Sequence, residues 1–167
     1  LQITVVAEYL QSLSQRTQVI VCSGNHDGDT KTTKGEYTAA WLQGIRSDTL
    51  FVDCQSVQAK GVLFSVCPWW DGPHSRKDMA DMLVKHAQLP HEKWVWIHHA
   101  PPDQCRVSWT GKRYGGDKFL NQLIETHSPT VVFSGHIHTA PFYQAGGWVD
   151  RINRSWVCNP GSQPGPM

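Results

Sequence analysis

The chain has no C-x-x-C pair. Its five cysteines, Cys22, Cys54, Cys67, Cys105 and Cys158, are widely spaced and odd in number, which argues against a zinc ribbon or a disulfide framework. Reduced thiols in a cytoplasmic protein are expected, with Cys22, Cys67 and Cys158 acting as small hydrophobes in or beside apolar runs. Net charge is also scarce, only +1 at pH 7 from 15 Lys and Arg against 14 Asp and Glu. Without a basic excess, nucleic acid is not a favoured partner. No apolar run is long enough to cross a bilayer, so no membrane association is expected. There is no signal peptide, but Leu1 is not a start methionine and stands inside a helical pattern. The expectation is that the true N-terminus lies further upstream. Repeats, low-complexity tracts and linkers are missing, and residues 1–167 are read as a single domain, incomplete at its N-terminus.

Two residue types are in excess, with nine His and eight Trp. Excess His points to metal chemistry, while Trp fits a core. Val5, Val6, Tyr9, Leu10 and Leu13 recur at helical spacing, and a strand follows at Gln18–Cys22. Thr33-Lys34-Gly35-Glu36 and Ser75-Arg76-Lys77-Asp78 have the form of capping boxes. They predict helices carrying Tyr37, Ala40 and Trp41, and Met79, Met82, Leu83 and Ala87. Leu50–Val52, Val62–Val66, Trp94–Ile97, Thr130–Phe133 and Ser155–Cys158 read as strands. Phe119, Leu120, Leu123 and Ile124 share one helix face. Strands alternating with helices give an α/β class. The turn Asn159-Pro160-Gly161-Ser162 follows, and Gln163–Met167 does not read as the natural end of a fold.

Three strands end in metal-capable side chains. Val19–Cys22 runs into Gly24-Asn25-His26-Asp27, Trp94–Ile97 into His98-His99, and Thr130–Phe133 into Gly135-His136-Ile137-His138. Ligands in open α/β sheets gather at the carboxyl ends of strands, so the three ends predict one site. Alternate residues of extended backbone share a side, which lets His136 and His138 face one point. By the same rule one of His98 and His99 faces the site and the other does not. Neutral imidazole suits Zn, Mn and Fe, and the Asn25 amide oxygen fits the same ions. His26 suits proton donation to a departing oxygen, and Asp27 suits holding a turn or orienting a neighbour.

Taken in order, Gly24-Asn25-His26-Asp27, His98 and Gly135-His136-Ile137-His138 resemble the last three signature motifs of the calcineurin-like metallophosphoesterase superfamily. The resemblance implies a four-layer α/β/β/α sandwich and two divalent ions, Mn, Fe or Zn. It implies Asn25, His98 and His136 as ligands of one metal and His138 as a ligand of the other. It implies His26 as the catalytic histidine and prefers His98 over His99 as the ligand, leaving His99 beside the metal site or on the substrate. The implied activity is hydrolysis of a phosphomonoester or phosphodiester of a small molecule or nucleotide, by a hydroxide activated between the ions. The family's upstream Asp-x-His and Gly-Asp-x-x-Asp motifs do not occur in this sequence, so the sheet is expected to lack its first strands.

Two other readings stand beside this one. The first is a catalytically inactive protein-binding scaffold of the same fold. The second is a mononuclear zinc protein using Asn25, His98 and His136. Trp69 and Trp70 fit either a substrate wall or the core. Arg106 and Arg113 fit either phosphate contact or solvation. His86 and His127, near predicted helix ends, fit a favourable dipole interaction.

Overall fold

The computed structural model describes residues 2–162. Leu1 and the Gln163–Met167 ending lie outside them. The described chain runs α1 (Gln2–Ser14), β1 (Val19–Ile20), β2 (Thr30–Lys31), β3 (Tyr37–Thr38), α2 (Ala40–Gly44), β4 (Leu50–Phe51), β5 (Ser56–Ala59) and β6 (Val62–Val66). It continues with α3 (Pro73–His86), β7 (Lys93–Ile97), α4 (Lys118–His127), β8 (Val131–Phe133), β9 (Val149–Ile152) and β10 (Ser155–Cys158).

Six strands form the main sheet, in the order β5-β6-β7-β8-β10-β9. The inner four are mutually parallel, and β5 and β9 close the two edges antiparallel. All four parallel strands therefore end at one edge of the sheet, where an α/β fold gathers its ligand-binding loops.

Alternation along these strands builds the larger core. Leu63, Trp94, Trp96, Val132 and Val157 turn to one face and meet Met79, Met82 and Leu83 of α3 and Leu120, Leu123 and Ile124 of α4. Each such side chain, taken fully out of water, contributes about 1.5–3 kcal/mol. A second cluster joins Leu10 of α1 and Leu42 of α2 to Leu50 and Val52, over the small parallel sheet β1-β4. The expected four-layer order is present, with the first sheet reduced to two strands among the described residues.

Two sequence expectations give way to tertiary contacts. Thr33-Lys34-Gly35-Glu36 does not start a helix; it joins the antiparallel strands β2 and β3. Gly35 takes φ +82° there, a left-handed turn that costs glycine little. The Glu36 carboxylate works at a distance instead, accepting the His74 and Ser75 N–H groups at 2.8 and 2.7 Å. These are otherwise unpaired donors in the first turn of α3. α3 itself begins three residues earlier than its pattern suggests, with Gly72 in place of Ser75 as its N-cap, and the Ser75 hydroxyl accepts the Asp71 and Gly72 N–H groups. The apolar positions of α1 do form a helix, but Ile3, Val5, Val6 and Tyr9 are exposed.

All five cysteines are free. Burial pushes the Cys67 thiol well up and that of Cys22 to about 12. No helix among the described residues is long and apolar enough to cross a membrane.

Candidate metal centre

Three of the loops at strand ends meet. β7 delivers His98 and His99. Its inward residues are Trp94 and Trp96, 4 % and 0 % exposed. His98 continues that parity into the core, and His99 takes the opposite side. His99 Nε2 lies 3.0 Å from Asn25 Oδ1 and 3.3 Å from His136 Nδ1. An amide oxygen and two imidazole nitrogens thus converge from three separate motifs.

His98 is placed elsewhere. It is 1 % exposed, and its ring packs on Trp70 with centroids 4.5 Å apart. Its Nδ1 is 3.4 Å from the Cys67 carbonyl, and its Nε2 has no hydrogen-bond partner. The ring beside Asn25 and His136 is that of His99, where the resemblance had implied His98. The strand held the signal for this assignment: two alternate tryptophans directed inward set the direction of His98.

The Asn25 turn is rigidly held. Asp27 accepts the Gly24 N–H at 2.7 Å, and the Asp27 N–H returns to the Gly24 carbonyl at 3.2 Å. This realises the turn-holding role read for Asp27. Ser23 donates its N–H to buried Asp53 at 2.8 Å and accepts the Trp69 N–H at 2.9 Å. Trp69 is thereby set against the site, with ring centroids 5.7 Å from both His99 and His136.

The backbone at His136 is not extended. Its φ is +63°, and the Ile137 N–H bonds the Gly135 carbonyl at 2.7 Å across it. A tight three-residue turn of this kind is uncommon for a residue with a side chain. It aims His136 at His99 and leaves His138 exposed on the next turn. Asn159, fully buried, holds the loop. Its amide donates to the Val107 and Ile137 carbonyls at 3.0 and 2.9 Å, and Ser162 N–H bonds the His138 carbonyl at 2.9 Å. The Asn159–Ser162 turn was legible in the sequence, whereas this pinning role was not.

Burial first, and then neighbouring imidazoles, push His99 and His136 below the ordinary histidine pKa. His26 and His138 both belong to that neighbourhood, since each adds to the depression. Neutral rings with free lone pairs are the form a metal ion needs. The donor set fits one divalent ion in part, as two imidazoles and an amide. Among the described residues no three His, Cys, Asp or Glu side chains come together to hold an ion.

Other candidates lie apart from the site. The Arg106 guanidinium donates to the Gly146 carbonyl at 3.1 and 2.7 Å and ties two loops together. His86 and His127 do end helices, but burial lowers both pKa values, which disfavours the charged form that the helix dipole would attract.

Comparison with known proteins agrees with this architecture. Residues 3–167 match the family described as the calcineurin-like phosphoesterase superfamily domain. One solved structure aligns with TM-score 0.69 at 15% identity, over 96% of this chain and 64% of its own length. TT1561 of Thermus thermophilus aligns with TM-score 0.57 at 15% identity, over 93% of this chain and 68% of its own. Purple acid phosphatase PPD1 from yellow lupin seeds aligns with TM-score 0.51 at 12% identity, over 93% of this chain and 38% of its own. At these identities the structural likeness speaks for the fold alone. No curated protein matches the chain. A nearly full-length family match, and motif-bearing loops that meet at strand ends, lead to one conclusion: the chain belongs to the calcineurin-like phosphoesterase superfamily.

Proposed function

We propose that the site holds a divalent ion through Asn25, His99 and His136 and serves hydrolysis of a phosphate ester, monoester or diester, of a small molecule or nucleotide. The observation that carries this reading is the contact of His99 Nε2 with Asn25 Oδ1 at 3.0 Å and with His136 Nδ1 at 3.3 Å. His99 takes the ligand role given earlier to His98, and His138 serves a second ion of the same kind, Mn, Fe or Zn.

A bound divalent ion supplies Lewis acidity and an activated water. The chain's own residues supply position and protons. His99 and His136, held neutral by burial, offer lone pairs without first releasing a proton. His26 stands exposed on the turn beside Asn25. Its ring nitrogen donates a proton to the departing ester oxygen. Asp27 keeps that turn in place through the Gly24 N–H. Trp69 walls one side and limits water around the two rings.

A centre with a single ion is the second reading. It is favoured by the fact that Asn25, His99 and His136 are the donors that meet among the described residues. The test is metal analysis after loading with Mn or Zn, paired with hydrolysis of p-nitrophenyl phosphate and its bis-ester. The expected result is bound metal and turnover, both lost in His136→Ala. Metal uptake unchanged in that variant would remove the basis of the reading.

A further inference from the structure

An aromatic cleft of about 690 Å³ adjoins the metal centre, and the proposed reaction makes no use of it. Trp69, Trp70, Arg76, Ala80 and Phe119 are among its walls. Trp69 and Asp71 also border a smaller hollow of about 270 Å³ that contains Asn25 and His26. The two spaces therefore lie side by side, with Trp69 and Asp71 lining both.

The charged side chains of the cleft are engaged by the protein itself, Asp71 by accepting the Tyr37 N–H at 2.8 Å. Arg76 Nη2 donates to Asp117 Oδ2 at 2.9 Å, and the same oxygen accepts the Trp70 indole N–H at 3.0 Å. Asp117 Oδ1 accepts the Phe119 and Leu120 N–H groups at 2.7 and 3.2 Å. Both carboxylate oxygens are committed, and the guanidinium, paired to one of them, lies 5.4 Å from the Trp70 ring and 5.9 Å from the Phe119 ring. Lys77 pairs with Asp81. The half-buried Trp69 and Phe119 rings, with the guanidinium plane of Arg76, offer stacking surfaces to a flat uncharged ring. The size lies within the range of small-molecule pockets.

We propose that this cleft receives the aromatic part of the substrate, so that the enzyme prefers phosphate esters whose leaving group carries a flat ring, aryl or nucleobase. The proposal rests on the phosphoesterase reading above and adds a substrate class to it.

The test reads binding to the full chain apart from turnover. 1-Naphthol and adenosine, rings without phosphate, are titrated while tryptophan indole N–H resonances are followed by NMR. The expected result is a saturable shift of the Trp69 and Trp70 signals. Affinity should fall about tenfold in Ala80→Phe, which fills the cleft, and in Phe119→Ala, which removes a wall. A response to 1-naphthol alone assigns an aryl ester, and a response to adenosine assigns a nucleotide. The absence of a saturable shift, or an affinity undiminished in whichever variant folds, overturns the proposal. Metal-dependent hydrolysis of glycerol 3-phosphate by a chain that binds neither ring refutes the cleft and leaves the phosphoesterase reading standing. Ring binding by a chain that takes up no metal supports the cleft and refutes the phosphoesterase reading.

Discussion

Trp70 covers His98, with ring centroids 4.5 Å apart, and this contact separates two adjacent histidines into different roles. His98 is a core residue. His99, one position later, faces Asn25 and His136. His99→Ala is therefore expected to abolish metal uptake with little loss of stability. His98→Ala should retain metal and lose about 1–3 kcal/mol of stability. Metal content per chain and urea unfolding midpoints measure the two effects. The reverse pattern would return the ligand role to His98.

Acid should weaken the metal-free fold through His98. Burial pushes its imidazole down to about 4, below the roughly 6.5 of an unfolded chain. Between those values the unfolded state binds more protons than the folded one. The stabilising contribution is thus complete above about pH 6.5 and fades as pH falls toward 4, by about 3 kcal/mol in all. Urea titrations across that window should show the slope, and His98→Leu should flatten it. An equal slope in the variant would assign the acid sensitivity to other groups.

Gly24 leaves room for the His99 ring. A Cβ there would stand 2.9 Å from His99 Cε1 and Nδ1, closer than side chains tolerate. Gly24→Ala should displace the ring and weaken metal binding about 10–100-fold, while the melting temperature changes little. Calorimetric titration with Mn or Zn gives the affinity. An unchanged value would show that His99 does not need this position.

His26→Ala removes the proposed proton donor and none of the three converging donors. Turnover should fall by about 10²–10⁴-fold at unchanged metal content. A leaving group that needs no protonation, such as p-nitrophenolate, should lose less than an alkoxide. Equal losses for both would withdraw the assignment.

Much of this molecule could be read from local pattern. The strands ending at Val66, Ile97, Phe133 and Cys158 are short apolar runs cut by Gly, Pro, Asn or His, and they stand where expected. Such runs reflect periodicity and turn chemistry, which neighbours in sequence control. The motifs at their ends were legible for the same reason, including Asn25 and His136. Other assignments depended on partners far along the chain. Glu36 fits a local helix cap by spacing, yet it caps a helix 38 residues away. Arg106 is taken up by Gly146, 40 residues on.

The primary structure was enough to establish the α/β alternation and the order of the motifs, with their metal-capable residue types at strand ends, because these follow from side-chain chemistry and backbone period. Packing alone turned His99 rather than His98 toward Asn25 and His136, bent His136 into a left-handed turn and opened an aromatic cleft beside the site. Those outcomes depend on which surfaces Trp69, Trp70 and Asn159 meet once distant loops share one sheet edge.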